Sequence, residues 1–162
     1  MKNIKTVILD RIIEEVNVQI KNMEQGRLGA IEESKAHKGA MVSRYDTFKE
    51  EAQYLAGGYN ARSLELCEIA STLKSLKDYP PTVIKGSVYA IIEVKNRDDG
   101  SVAKYFLLPS GGGNTYEVAD EKITALNVRA PMARAFIGAA AGDEVEVKIQ
   151  ETTRRFSVVS VT

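Results

Sequence analysis

Asp46 and Glu50 are the side chains of this sequence best placed to do chemistry. They belong to Ser43-Arg44-Tyr45-Asp46-Thr47-Phe48-Lys49-Glu50-Glu51-Ala52, a stretch between two long helical patterns. If those helices pair, the stretch lies at the far end of a hairpin. Carboxylates at the tip of a long rigid arm are suited to delivery into a site on another molecule. A spacing of four residues brings both side chains to one helix face. The same residues also fit a local role. Thr47-Phe48-Lys49-Glu50 reads as a capping box, in which Thr47 caps a helix and Glu50 bonds back to it. Alternatively, Asp46 is itself the cap. Lys35, Lys38 and Arg44 place positive charge beside the carboxylates. His37, the single histidine, has no cysteine near it and makes a poor metal site.

The elements that hold this stretch are read from apolar spacing. Leu9, Ile13, Val16, Ile20, Met23, Arg27, Ala30 and Ser34 recur at alternating intervals of four and three, the seam of a coiled coil. Gly26 and Gly29 each weaken a helix by about 1 kcal/mol relative to alanine. They mark a place where a partner helix comes close. The pattern breaks at Lys38 to Ser43, where Gly39 suits a helix end. A second seam runs through Ala52, Leu55, Tyr59, Arg62, Leu66, Ile69, Leu73 and Leu76. Both seams are most apolar towards the termini and most polar near the connection. That gradient predicts an antiparallel hairpin over residues 1–79, with its base in a core and its tip near residues 38–50. At 1.5 Å per residue its arms are about 45–50 Å long.

Tyr79-Pro80-Pro81 ends the second helix. Period-two runs then predict strands over Val83–Val94, Val102–Leu108, Ile123–Val128, Glu144–Ile149 and Arg155–Val161. Asn96 to Gly100 reads as a turn, and so does Thr152 to Arg154. Ser110-Gly111-Gly112-Gly113-Asn114 reads as a flexible loop, because the Gly-Lys-Ser/Thr of a phosphate-binding loop does not follow. Pro131 suits the first position of a short helix, Met132–Ile137, ended by Gly138, with Met132, Phe136 and Ile137 facing inward. Residues 80–162 thus form a small, mostly antiparallel sheet domain with one helix, and the whole chain is α+β.

Composition narrows the function. The 22 basic and 22 acidic side chains cancel, which leaves no overall basic excess for stable binding to duplex DNA. The single cysteine, Cys67, forms no internal disulfide and fits a reducing, cytoplasmic compartment. No apolar run approaches the roughly 18 residues of a membrane span.

Two motifs carry a family resemblance. Ala130-Pro131-Met132-Ala133-Arg134-Ala135-Phe136-Ile137-Gly138, then Gly142-Asp143-Glu144-Val145-Glu146-Val147, resembles the C-terminal signature of the bacterial Gre (GreA/GreB) transcript-cleavage factors. Lys49-Glu50-Glu51-Ala52-Gln53-Tyr54 resembles the segment following their acidic tip. The resemblance implies an FKBP-like C-terminal domain that docks at the secondary channel of RNA polymerase, with Pro131, Arg134 and Gly138 at the contact. It implies an arm reaching through that channel to the 3′ end of backtracked RNA. Asp46 and Glu50 would there help to hold a second Mg²⁺ and activate water, with Lys38 and Arg44 near the RNA. Such a factor carries no metal or other cofactor in isolation, and it is an accessory of the polymerase rather than an enzyme. Glu50 matches the family's tip glutamate, but the family's aspartate falls at Thr47, so that Asp46 stands one residue early. Ala130 and Ala139 replace a usual serine and lysine. The alternative within this resemblance is a regulator that occupies the same channel without cleavage and modulates initiation or pausing. A coiled-coil interaction module and a peptidyl-prolyl isomerase are the readings outside it.

Overall fold

The computed structural model describes residues 3–36 and 42–162, without the side chains of Ser34 and of residues 42–45. Two long helices come first: α1, Ile4–Ala36, and α2, Val42–Asp78. Six strands and one short helix follow: β1 Ile91–Asn96, β2 Val102–Leu108, β3 Thr115–Val118, β4 Glu121–Asn127, α3 Pro131–Phe136, β5 Glu144–Ile149 and β6 Thr152–Val161. By contact the chain divides into two units. One comprises Met1–Ile12 with Thr72–Thr162, and the other is Ile13–Ser71.

The unit Ile13–Ser71 is a helix pair. The aromatic ring of Tyr59 lies against Gly26, as an antiparallel pairing of α1 and α2 requires. Gly29, the other glycine marked for close approach, has nothing within 4 Å of where its Cβ would sit. The first seam holds along α1: Val16 and Ala30 are buried, and Ile13, Ile20, Met23 and Arg27 are half-buried. The second seam keeps its heptad but takes different alternate positions. Leu55 and Arg62 face solvent, while Ala56 and Ser63 turn inward beside half-buried Ala52 and Tyr59 and buried Leu66. Arg62 instead forms an ion pair with Glu65 one turn on, at 2.8 Å. Ala52, Ala56, Tyr59, Ser63 and Leu66 still recur at intervals of four and three, so the second inward position of each heptad falls one residue later than the larger side chains suggest.

The unit containing the sheet has the strand order β3-β4-β2-β1-β6-β5. All neighbours are antiparallel except β2 and β4, which run parallel. Alternation sends Ile92, Val94, Leu107, Val147, Phe156 and Val158 to one face, where Ala133 and Phe136 of α3 and Ala139 close the core. Phe136 anchors that core, with its ring 5.7 Å from Tyr105 and 5.8 Å from Phe156. Ile91, Phe106 and Leu108 are buried on the opposite face. The base of α1 covers this side. Lys5 lies 4.5 Å from the Tyr89 ring centroid, Tyr89 packs edge-on to Phe106, and Arg11 Nη1 donates to the Glu117 carbonyl at 2.8 Å. Burial lowers the pKa of the Lys5 ammonium. Asp10 and Lys77 pair within the same unit.

Four details differ from the sequence reading. The first strand begins at Ile91 rather than Val83. Residues 80–90 follow an irregular path, in which Gly86 donates to the Ala139 carbonyl and accepts from Gly138, both at 2.7 Å. β3 is an additional strand. It is only four residues long and is enclosed between the glycine run and a tight turn with positive φ at Ala119 and Asp120. The glycine run itself is tied down: Gly113 donates to the Ala125 carbonyl at 2.7 Å, and a Cβ on Gly112 would lie 3.0 Å from that oxygen. Finally, β6 already starts at Thr152, because the turn sits at Gln150, where φ is +55°.

Candidate functional site

α2 begins at Val42, so Asp46, Thr47 and Glu50 all lie within the helix. This corrects the capping readings. Beyond the first turn a backbone N–H is committed to the carbonyl four residues back, which leaves Thr47 or Asp46 no end to cap. Asp46 and Glu50 are exposed, about 6 Å apart along the axis and on one helix face. Neither carboxylate meets a cation among the described residues. Thr47, between them, is also exposed. His37, Lys38 and Gly39 lie outside the described residues, as does the side chain of Arg44. Among the described residues no three histidine, cysteine or acidic side chains converge as a metal site. Two carboxylates a turn apart can supply oxygen ligands to a hard cation, but only part of the shell of six that Mg²⁺ takes.

The second candidate surface is built around α3. Ala130 is in extended backbone at its start, and Pro131 takes the first turn, where a missing N–H costs nothing. Ala133 and Phe136 point into the core, while Arg134 points outward with no ion pair among the described residues. The helix is only six residues long. Ile137 leaves it in extended conformation and is 47% exposed, against the inward placement read from sequence. Gly138 then takes φ +85°. That is a left-handed conformation glycine adopts without strain, and it reverses the chain towards Gly86. Pro131, Arg134 and Gly138 are all exposed within eight residues of chain. Ala139 is buried and belongs to the core, so a long charged side chain has no place at that position here.

Sequence reasoning missed Gly86, although its contact decides where the α3 segment sits. A Cβ there would fall 1.8 Å from the Phe136 carbonyl oxygen. One glycine among unremarkable neighbours gives no local signal of that packing. The Arg154-Arg155 pair lies on β6 rather than in a turn, and Arg155 approaches Glu146 across the strands at 3.7 Å.

These features have relatives. Residues 85–162 match the family model described as transcription elongation factor, GreA/GreB, C-terminal. Over 157 residues the chain is 24% identical to the transcription elongation factor GreA of Chlorobium phaeobacteroides, covering 94% of this chain and 91% of that one. The GreA of Chlorobaculum tepidum is 25% identical with the same coverage. Among solved structures, the GreA factor homolog Gfh1 of Thermus thermophilus is 11% identical and aligns over 95% of this chain and 94% of its own, at a TM-score of 0.37. A superposition at that level adds nothing to the assignment, which rests on the sequence matches and on the order of elements. The signature of α3 and Gly138 lies inside the matched region, so residues 85–162 match the C-terminal domain of the GreA/GreB family, and a helical pair stands ahead of that sheet.

Proposed function

We propose that this protein is a transcription elongation factor that enters the secondary channel of RNA polymerase and stimulates cleavage of backtracked RNA. The observation that carries the reading is the placement of Asp46 and Glu50. Both are exposed and one turn apart on an uninterrupted helix, and neither meets a cation among the described residues. The exposed face of α3, with Pro131, Arg134 and Gly138, is the docking surface on polymerase. α1 and α2 carry the carboxylates to the RNA 3′ end, with Lys38 and Arg44 beside the RNA phosphates. Asp46 and Glu50 would contribute oxygen ligands to a Mg²⁺ shared with the polymerase, which would supply the second cation of a two-metal hydrolysis. The polymerase provides the remaining ligands and the substrate, so the protein acts as an accessory in the cytoplasm, where the polymerase is.

The position of Asp46 supports a second reading. Each residue turns a helix by 100°, so an acid at 46 points about 100° away from one at 47. A factor with that displacement occupies the channel without completing the metal shell and modulates initiation or pausing. Polymerase stalled in a backtracked state with labelled RNA separates the two. Faster release of a 3′ fragment with Mg²⁺, lost in Asp46→Asn/Glu50→Gln while binding persists, supports cleavage. Binding without acceleration supports the regulator. Absence of binding defeats both.

A further inference from the structure

We infer that the Tyr59 ring, seated against Gly26, sets the axial register of α1 against α2, which makes Tyr59 a positioning residue for the Asp46 and Glu50 pair. The consequence for cleavage rests on the function proposed above; the register itself does not. A Cβ on Gly26 would lie 2.9 Å from two Tyr59 ring carbons and 3.2 Å from the phenol oxygen. The ring therefore fills a notch that only glycine leaves open. This explains why α1 keeps a residue that weakens a helix interior.

Beside the notch and towards the tip the surrounding seam does little to fix the register by shape. There it is built from Ala30, Ala52 and Ala56 with half-buried Ile31, a stripe of mostly small side chains that discriminates poorly between alignments. Around Tyr59 it is polar, with a cleft of about 120 Å³ lined by Met23, Glu24, Arg27, Asn60 and Ser63 as well as Tyr59. The bulky buried residues Val16 and Leu66 lie on the other side of the notch from the tip. A slip of one heptad would set Tyr59 against Gln19 or Glu33, whose side chains would occupy the space of the ring. Asp46 and Glu50 lie on the same helix, about 20 Å and 14 Å beyond Tyr59. A shift at the notch is thus carried rigidly to the tip, where a misplacement of about 1 Å costs on the order of 100-fold in a reaction that depends on orientation.

Cys67 is the single cysteine and is exposed on α2, so Leu28→Cys on the exposed side of α1 completes a spin-label pair in the full-length protein. Distances between the labels are read by electron–electron resonance. The parent and Tyr59→Phe, which keeps the ring, give one narrow distance. Gly26→Ala displaces or broadens it by up to about 5 Å, one helical turn. Gly26→Ala/Tyr59→Ala, which lacks the ring, also gives a broadened distribution. An unchanged distribution in Gly26→Ala overturns the register lock, whatever happens to cleavage. If Gly26→Ala loses its helicity, Tyr59→Ala decides: a broadened distribution supports the lock and an unchanged one overturns it. In the backtracked-polymerase assay, Gly26→Ala lowers the maximal fragment-release rate at least about tenfold. Its half-saturating concentration stays within about twofold, and the double variant, which lacks the ring, does not recover the rate. A parent protein that binds polymerase without cleaving overturns the cleavage reading alone, since the distances are measured on the free protein.

Discussion

The two units differ in how many contacts fix each functional residue. Around α3, the position of Arg134 is over-determined. Phe136 stacks on Tyr105 and meets Phe156 edge-on, Pro131 starts the helix, and two backbone bonds clamp Gly138 and Ala139 to Gly86. The unit Ile13–Ser71 has a seam that thins to alanine, serine and a polar cleft, with Tyr59 against Gly26 as its closest interlock. Arg134 thus sits on a helix pinned by a core, whereas few large side chains fix the two helices of Ile13–Ser71 against each other.

The contrast can be broken by mutation. Its largest test is Phe136→Ala, which removes a fully buried ring and should cost about 3–5 kcal/mol in chemical denaturation of the sheet-containing unit. Next, Gly86→Ala forces a methyl into the Phe136 carbonyl, where backbone must move, and should cost about 3 kcal/mol. Circular dichroism of these variants should show the strand signal melting early, while the helices of Ile13–Ser71 persist to a separate transition. A single merged transition would mean that the two units do not unfold independently.

Within the helix pair the effects should be smaller and sharply dependent on position. Leu66 is 2% exposed and Leu64 is 67% exposed, only two residues apart. Leu66→Ala should cost about 2–3 kcal/mol and Leu64→Ala less than about 0.5 kcal/mol, read from urea midpoints. Equal costs would contradict a seam that buries Leu66 and leaves Leu64 in solvent.

The smallest expected effect is one of pH. Burial raises the pKa of Tyr105, and its hydrogen bond to Glu121 raises that of Lys104, from ordinary values of 10.0 and 10.5. Below those values both groups hold their protons whether the chain is folded or not. As pH rises through them the unfolded chain releases protons first, which favours unfolding. These two groups should therefore lower the melting temperature of the sheet-containing unit between pH 9 and pH 11, against an opposite contribution from Lys5, whose pKa burial lowers. Tyr105→Phe should flatten the tyrosine part of that slope.

Much of this was legible from periodicity. The α1 seam, β2 at Val102–Leu108 and β5 at Glu144–Ile149 follow spacing that local chemistry dictates, and the structure keeps them. Pro131 starts α3 as its fixed φ requires. Less legible were features set by residues far apart in sequence. Leu55 and Arg62 fit a heptad on paper, yet face solvent because the inward stripe takes Ala56 and Ser63 instead. Ile137 is as apolar as Phe136, but a helix ending one residue earlier turns it outward.

The same division applies to the carboxylates of the tip. Sequence alone determined that Asp46 and Glu50 lie beside a helical pattern at a spacing that shares a face, because helix geometry depends only on local backbone. It also determined the C-terminal signature, through residue types at fixed offsets. Where α2 begins was beyond it, since a helix start depends on which backbone groups find partners, and Thr47-Phe48-Lys49-Glu50 looks the same as a cap or as an interior turn. Tertiary structure decided that Asp46 and Glu50 stand inside the helix, that Gly86 admits the Phe136 carbonyl, and that Gly26 receives the Tyr59 ring. Each of the two glycine contacts joins residues more than thirty positions apart, and only packing brings them together.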